Sequence, residues 1–170
     1  MTPLIGMKIG ISLIEDPRHP GDAEAASRLF GRIADRIARE HNIPRKDAGD
    51  ALDQAIIFVT VAARDTSRAL SPSPLVDKAW DTFFLYSIEY HHHCARYGKF
   101  VHHTPNDNPE ILTSSPERRF YSPAETADVL RSEGFYVLDA LWPKDAIASS
   151  KANCTNCYVG DHEGDSPPVI

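Results

Sequence analysis

The chain has 170 residues, of which 42% are hydrophobic and 25% are charged, and these values fit one domain with its own hydrophobic core. Eighteen Lys and Arg against 24 Asp and Glu give a formal net charge of −6, which argues against nucleic-acid partners because phosphate binding needs clustered basic residues. No apolar run of about 18 residues is present, so we expect no membrane span. Three cysteines in a chain of this size favour a reducing cytoplasm over a disulfide-forming compartment.

The first third of the chain predicts two helices. The N-terminal segment MTPLIGMKIGISLI is interpreted as a core-packing segment or the start of a first helix rather than an export signal. Apolar residues between Ala26 and Ile37 recur every three or four positions, which predicts a helix that follows Asp22 and runs to about His41. A second helix is predicted from near Pro44 to about Ser67, although its IIFVTVAA segment also suits a strand.

The rest of the chain predicts two more helices, a loop and a tail. A third helix is predicted from Ser73 and Pro74 to a terminating Gly98, and a loop from residue 99 to about residue 121. A fourth helix opens with a capping box at Ser122 and is followed by the apolar strip FYVLDALWP. The expected architecture is a small all-α, single-domain helical bundle over residues 1–143, with a structured loop and a polar C-terminal tail over residues 144–170.

Asp77 and Asp81 form an acidic pair one turn apart near the start of the third helix. Two neighbouring carboxylates can bind a hard cation or act as acid and base. A solvated helix start, where negative charge is favourable, explains the pair without a ligand and is the more common case. Both interpretations stay open at the level of sequence.

The segment YHHHCARYGKFVHHTP, residues 90–105, contains five of the eight histidines. A continuous third helix places His91 and Cys94 on the face that also carries Trp80. The pair is then a buried thiol beside a core histidine, a pair of metal ligands joined by His102 or His103, or a thiol nucleophile activated by histidine. Burial is favoured because cysteine is among the most buried residue types.

The run LVDKAWDTFFLYSIEYHHHCARYGKFVHHTP resembles the signature of the glycine-rich domain-containing protein-like family. The matching positions are Val76, Asp77, Trp80, Tyr90, Cys94, Gly98, Phe100, His103 and Pro105. Similarity is weaker at LWP, residues 141–143, and in the cysteine-bearing C-terminus. The family usually has a histidine after the tryptophan, where this chain has Asp81. The resemblance implies a compact helical domain but no particular reaction.

The C-terminal segment CTNCYVGDH carries a further metal-binding pattern. Cys154, Cys157 and His162 have the spacing C-x2-C-x4-H, in which two thiolates reach one tetrahedral ion. A complete zinc site needs a fourth ligand, for which His103, His102 and Cys94 are candidates. Without a metal, the same residues are an exposed dithiol.

These patterns predict a small cytoplasmic metal-binding accessory protein, with zinc or another thiophilic metal as its cofactor and no assigned reaction. One alternative is a precursor or carrier whose cysteine-containing tail is modified by a partner enzyme. A second alternative is a hydrolase that uses Asp77, Asp81, His91 and Cys94. A protein partner or modifying enzyme is expected, and neither nucleic acid nor a membrane is.

Overall fold

Helices account for most of the chain in the computed structural model, which describes residues 6–65, 67–105 and 119–153. Within these ranges the five α-helices are α1 (Ala23–His41), α2 (Arg45–Arg64), α3 (Pro74–Leu85), α4 (Ser87–Tyr97) and α5 (Pro123–Ser132). The four short strands are β1 (Arg68–Ala69), β2 (His102–Pro105), β3 (Arg119–Phe120) and β4 (Ser150–Asn153). The prediction of a small helical single domain is confirmed, whereas none of the strands was predicted.

Helix α1 begins and ends where the sequence predicts. The Asp22 carboxylate accepts hydrogen bonds from the backbone N–H groups of Glu24 and Ala25, which caps the first turn. Asn42 ends the helix in the left-handed conformation, with φ of 52°.

Helix α2 lies at the centre of the fold and packs against α1, α3 and α4. Every residue from 54 to 63 is buried, including the β-branched segment that also suited a strand. A helix satisfies its own backbone hydrogen bonds, so it can be surrounded by other helices on all sides. Tertiary packing therefore overrides the local β preference of this segment.

The predicted single third helix is wrong, because the chain breaks at Tyr86 and forms α3 and α4. The φ and ψ of Tyr86 are −82° and 64°, outside the helical region. The break rotates α4 relative to the continued period of α3, so its buried residues are Glu89, Tyr90, His93 and Cys94. His91 is exposed and does not share a buried face with Cys94.

The segments before α1 and after α5 pack together on α2. Lys8 bridges Phe135 in a parallel arrangement, and Gly10 lies so close to α2 that a Cβ there would approach the carbonyl oxygen of Asp53 to 2.0 Å. The capping box of α5 is present between Ser122 and Glu125, as predicted. The apolar strip after α5 is buried through Phe135, Val137, Leu141 and Trp142.

Strand β4 comes from the segment predicted as a tail and pairs antiparallel with β2. Its register places Asn153 opposite His102, Ala152 opposite His103 and Ser150 opposite Pro105. The backbone N–H of Ala152 also donates to the carbonyl of Leu70 at 2.8 Å. Among the described helices, none combines the length and hydropathy needed to cross a membrane.

Candidate metal centre

Two carboxylates project from α3 one helical turn apart. Asp77 is buried, with 6% of its surface exposed, whereas the side chain of Asp81 is 59% exposed. The i, i+4 spacing places both on one face of the helix. One carboxylate of the pair is therefore buried in the protein interior, and the other lies at the surface.

The turn at Gly98 brings β2 back across α3. A Cβ at Gly98 would lie 2.1 Å from the carbonyl oxygen of Ala63, so this close approach of two backbones requires glycine. Beyond the turn, the hydroxyl of Tyr90 donates to the carbonyl of Val101 at 2.6 Å and accepts from Nε1 of Trp80 at 3.0 Å. These two buried hydrogen bonds hold the start of β2 against the core.

His103 on β2 lies between the two carboxylates. Its Nε2 is 3.0 Å from Oδ1 of Asp77 and 3.1 Å from Oδ1 of Asp81. Both carboxylate oxygens accept, so in this state Nε2 carries the proton. One ligand atom from each residue can be chosen so that all three lie within 4.8 Å of one another.

Other residues fix the orientation of this cluster. The hydroxyl groups of Ser149 and Ser150, next to or within β4, donate to Oδ2 and Oδ1 of Asp77. The ring of Trp80 packs against the ring of His103, with centroids 4.2 Å apart and planes inclined by 49°. Outer contacts of this kind hold metal ligands in position in metalloproteins.

The two carboxylates differ in their electrostatics. Burial raises the pKa of Asp77, but hydrogen bonds from His103, Ser149 and Ser150 outweigh it and hold that pKa below its usual value. Burial and the neighbouring charge of Asp77 raise the pKa of Asp81, against the opposing influence of His103 and His41. Asp77 is thus stable as an anion without a metal, whereas the negative charge of Asp81 is only partly compensated by its neighbours.

Two further histidines lie close to the cluster. The Nε2 atoms of His41, at the end of α1, and of His102 are buried and have no hydrogen-bond partner among the described residues. Successive strand residues face opposite sides, so His102 points away from His103, and its ring packs against Phe100 with centroids 4.9 Å apart. Burial lowers the pKa of His102, which leaves a neutral imidazole.

The other candidates from α4 do not join this cluster. Cys94 is buried, with 1% of its surface exposed, and forms no disulfide. The exposed His91 has its ring near Phe100, with centroids 6.0 Å apart. The group of ligand atoms within 4.8 Å of one another around Asp77, Asp81 and His103 includes neither His91 nor Cys94.

The tail residues Cys154, Cys157 and His162 lie outside the described residues. Sequence reasoning singled out Asp77, Asp81 and His103, but in separate contexts. It missed their convergence, the roles of Ser149 and Ser150, and the proximity of His41. Pairing between β2 and β4 creates the cluster, and no local pattern in these four-residue segments indicates it.

We call the cluster of Asp77, Asp81 and His103, with the serines that contact it, the corner of α3 and β2. The fold and this corner define a small helical protein with a candidate cation site. The chain belongs to the UCP032817-like family, whose model matches residues 26–119, more than half of the chain. No curated protein and no solved structure matches the chain.

The resemblance to the glycine-rich domain-containing protein-like family is wrong, because the family model that matches is the UCP032817-like one. Several signature positions here meet packing requirements. Trp80, Tyr90 and Cys94 fill the core, and Gly98 avoids a backbone clash. Such requirements constrain the spacing of residues without identifying a family.

Proposed function

We propose that this protein is a small metal-binding accessory protein that holds one divalent ion, zinc in the first place, at Asp77, Asp81 and His103. The observation that carries the proposal is the convergence of two carboxylates and one imidazole within 4.8 Å. Zinc accepts this combination of nitrogen and oxygen ligands.

The geometry of the cluster suits a tetrahedral ion. Zinc–ligand distances of about 2.0–2.2 Å place neighbouring ligand atoms roughly 3.3–3.6 Å apart. Nε2 of His103 is already 3.0 and 3.1 Å from the two carboxylate oxygens, so small side-chain adjustments suffice. The ion would replace the proton on Nε2, and its charge would compensate both carboxylates.

The tail is the proposed source of the remaining ligands. Ala152 pairs with His103, and Cys154 follows only two residues later. Two residues of extended chain span at most about 7 Å. We therefore propose that Cys154, Cys157 and His162 complete the coordination that His103 begins, and that His103 suits this role better than the core residue Cys94.

The proposed setting is the cytoplasm, because a reduced C-x2-C segment is an available ligand pair there. The proposed role is binding rather than catalysis. Nucleic-acid partners are not proposed, since the net charge of −6 opposes them. A protein partner that receives or delivers the metal, or that modifies the tail, fits the same residues.

The test is metal content and zinc affinity of the full chain. We expect the native intact mass to exceed the denatured mass by one zinc. Asp81→Asn should weaken zinc binding at least tenfold in a chelator competition titration, because it removes one ligand from an exposed position. His103→Gln should do the same, and Cys154→Ser with Cys157→Ser should weaken binding if the tail completes the site.

Asp128→Asn is the matched control, since Asp128 is an exposed aspartate on α5 that pairs with Arg131 at 2.8 Å. Its zinc affinity should equal that of the unaltered chain. Wild-type affinity in both Asp81→Asn and His103→Gln would overturn the proposed centre. A mass increase that survives denaturation would instead favour the precursor or carrier alternative.

A further inference from the structure

A cleft lies beside α2, where the N-terminal segment, α1 and the segment after α5 meet. The cleft has a volume of about 310 Å³. Its apolar wall includes Ile11, Phe30 and Leu138, and its polar side is formed by Asp50 and Asp53 of α2. Tyr136 adds a second aromatic ring to the lining.

Asp53 is a partly buried carboxylate that lacks a cationic partner among the described residues. Its Oδ1 accepts a hydrogen bond from the backbone N–H of Ile11 at 2.7 Å, and Gly10 also donates through its backbone. Its Oδ2 accepts a long hydrogen bond, 3.4 Å, from Nε2 of Gln54. Burial, together with the charge of Asp50, raises the pKa of Asp53.

The neighbouring carboxylate of Asp50, unlike that of Asp53, has a cationic partner among the described residues. Nζ of Lys46 lies 2.6 Å from Oδ2 of Asp50, one turn earlier on the same helix. The two backbone donors explain why Asp53 tethers the N-terminal segment, but neutral donors do not neutralise its charge. A carboxylate at an apolar cleft gains more from a cation than one that is already paired.

We infer that this cleft binds a small primary ammonium compound with an apolar body. The ammonium group would pair with Asp53, and the apolar body would lie against Ile11, Phe30 and Leu138. An aromatic lining adds attraction for a cation, because the faces of the Phe30 and Tyr136 rings are electron-rich. The volume of the cleft restricts the ligand to the size of a single ring or a short alkyl chain.

The experiment titrates the full chain with benzylammonium chloride and with benzyl alcohol, its uncharged analogue, at pH 7. Binding is followed by NMR through the methyl signals of Ile11 and Leu138. We expect saturable binding of benzylammonium, and binding of the alcohol at least tenfold weaker. Asp53→Asn should weaken benzylammonium binding at least tenfold, because asparagine keeps an acceptor oxygen for the N-terminal segment but removes the charge.

Asp128→Asn is the control variant and should change the affinity less than threefold, since Asp128 is exposed on α5 and does not line the cleft. The alcohol comparison on the unaltered chain decides the question even if Asp53→Asn fails to fold. Equal affinity for benzyl alcohol, or retained affinity in folded Asp53→Asn, would overturn the inference. Absence of saturation up to about 10 mM, a concentration at which even weak fragments bind, would overturn it as well.

Discussion

Two regions of the molecule each enclose a histidine from the segment 90–105, but with opposite kinds of partner: His93 is buried and His103 is partly buried. Between α2 and α4, Nε2 of His93 donates to Oγ1 of Thr60 at 2.9 Å, because the Thr60 hydroxyl already donates to the carbonyl of Ile56. Nδ1 of His93 is buried without a partner among the described residues. At the corner of α3 and β2, His103 instead faces two carboxylates.

The difference shows how strongly the partners of an enclosed histidine influence its chemistry. Burial lowers the pKa of His93 to about 3, with further lowering from the charges of Arg96 and His92, so this residue stays neutral and serves packing. The corner offers His103 anionic partners and, through Asp81, a path to solvent. Of these two regions, the corner is the one that groups two carboxylates and an imidazole within 4.8 Å.

The largest expected effect comes from a substitution that breaks both regions at once. Gly98→Ala forces its Cβ against the backbone of Ala63, at the junction between α4 and β2. We expect the free energy of unfolding to fall by about 3 kcal/mol or more, measured by urea denaturation. Zinc affinity should fall as well, since β2 carries His103.

Gly31→Ala is the control for that prediction. Gly31 lies within α1, where the nearest atom to an added Cβ is a terminal nitrogen of Arg45 at 4.0 Å. Alanine there should leave stability unchanged or raise it by about 0.5–1 kcal/mol, through its higher helix propensity. Comparable losses in both variants would contradict the assigned role of the Gly98 turn.

A pH series isolates the α2–α4 region. The unfolded chain protonates His93 near pH 6.5, whereas the folded chain does so only near pH 3. The contribution of His93 is therefore fully present above pH 6.5, and is lost as the pH falls, by up to about 1.4 kcal/mol per pH unit. His93→Gln should show a shallower dependence between pH 6 and pH 4 in denaturant unfolding. A parallel dependence in the two chains would refute this account.

The smallest expected effects distinguish the two carboxylates of the corner in the presence of a chelator. Asp77→Asn should lower the free energy of unfolding at pH 7 by about 2 kcal/mol, since the ionised carboxylate accepts three hydrogen bonds. The lowered pKa of Asp77 means that this contribution is present above about pH 3.8 and is lost as the pH falls through the folded-state pKa.

Asp81→Asn should leave metal-free stability unchanged or raise it slightly. The raised pKa of Asp81 shows that the fold disfavours its ionised form, so removal of the charge relieves a cost. Thermal unfolding of both variants with chelator makes the comparison. Equal destabilisation by the two substitutions would contradict this distinction, because it would mean that both carboxylates stabilise the metal-free fold to the same extent.

Local patterns were enough to predict those parts of the fold that local interactions determine. Asp22 and Ser122 cap the helices that their sequences predict, and the apolar strip after α5 is buried. The break at Tyr86 was missed, because the apolar period of the sequence continues across it and no proline or glycine marks it. That error assigned His91, rather than His93, to the interior.

The candidate site was predictable only in its parts. Asp77 and Asp81 are recognisable as a pair on one helix face, since helical spacing alone places them together. His103 reaches them through a turn and a strand pairing that joins residues about fifty positions apart. Non-local pairing of four-residue strands leaves no periodic signal in either segment, so the contacts of Ser149 and Ser150 required the structure.

The pairing of β4 with β2 also sets an order of events during synthesis. Asp77 and His103 are translated well before Ser149 and Ser150, so a nascent chain holds the acid and the imidazole without the two hydroxyl groups that orient Asp77. The complete corner is a property of chains translated through β4. An ion at the proposed centre would therefore meet the fully oriented Asp77 only after β4 has been made.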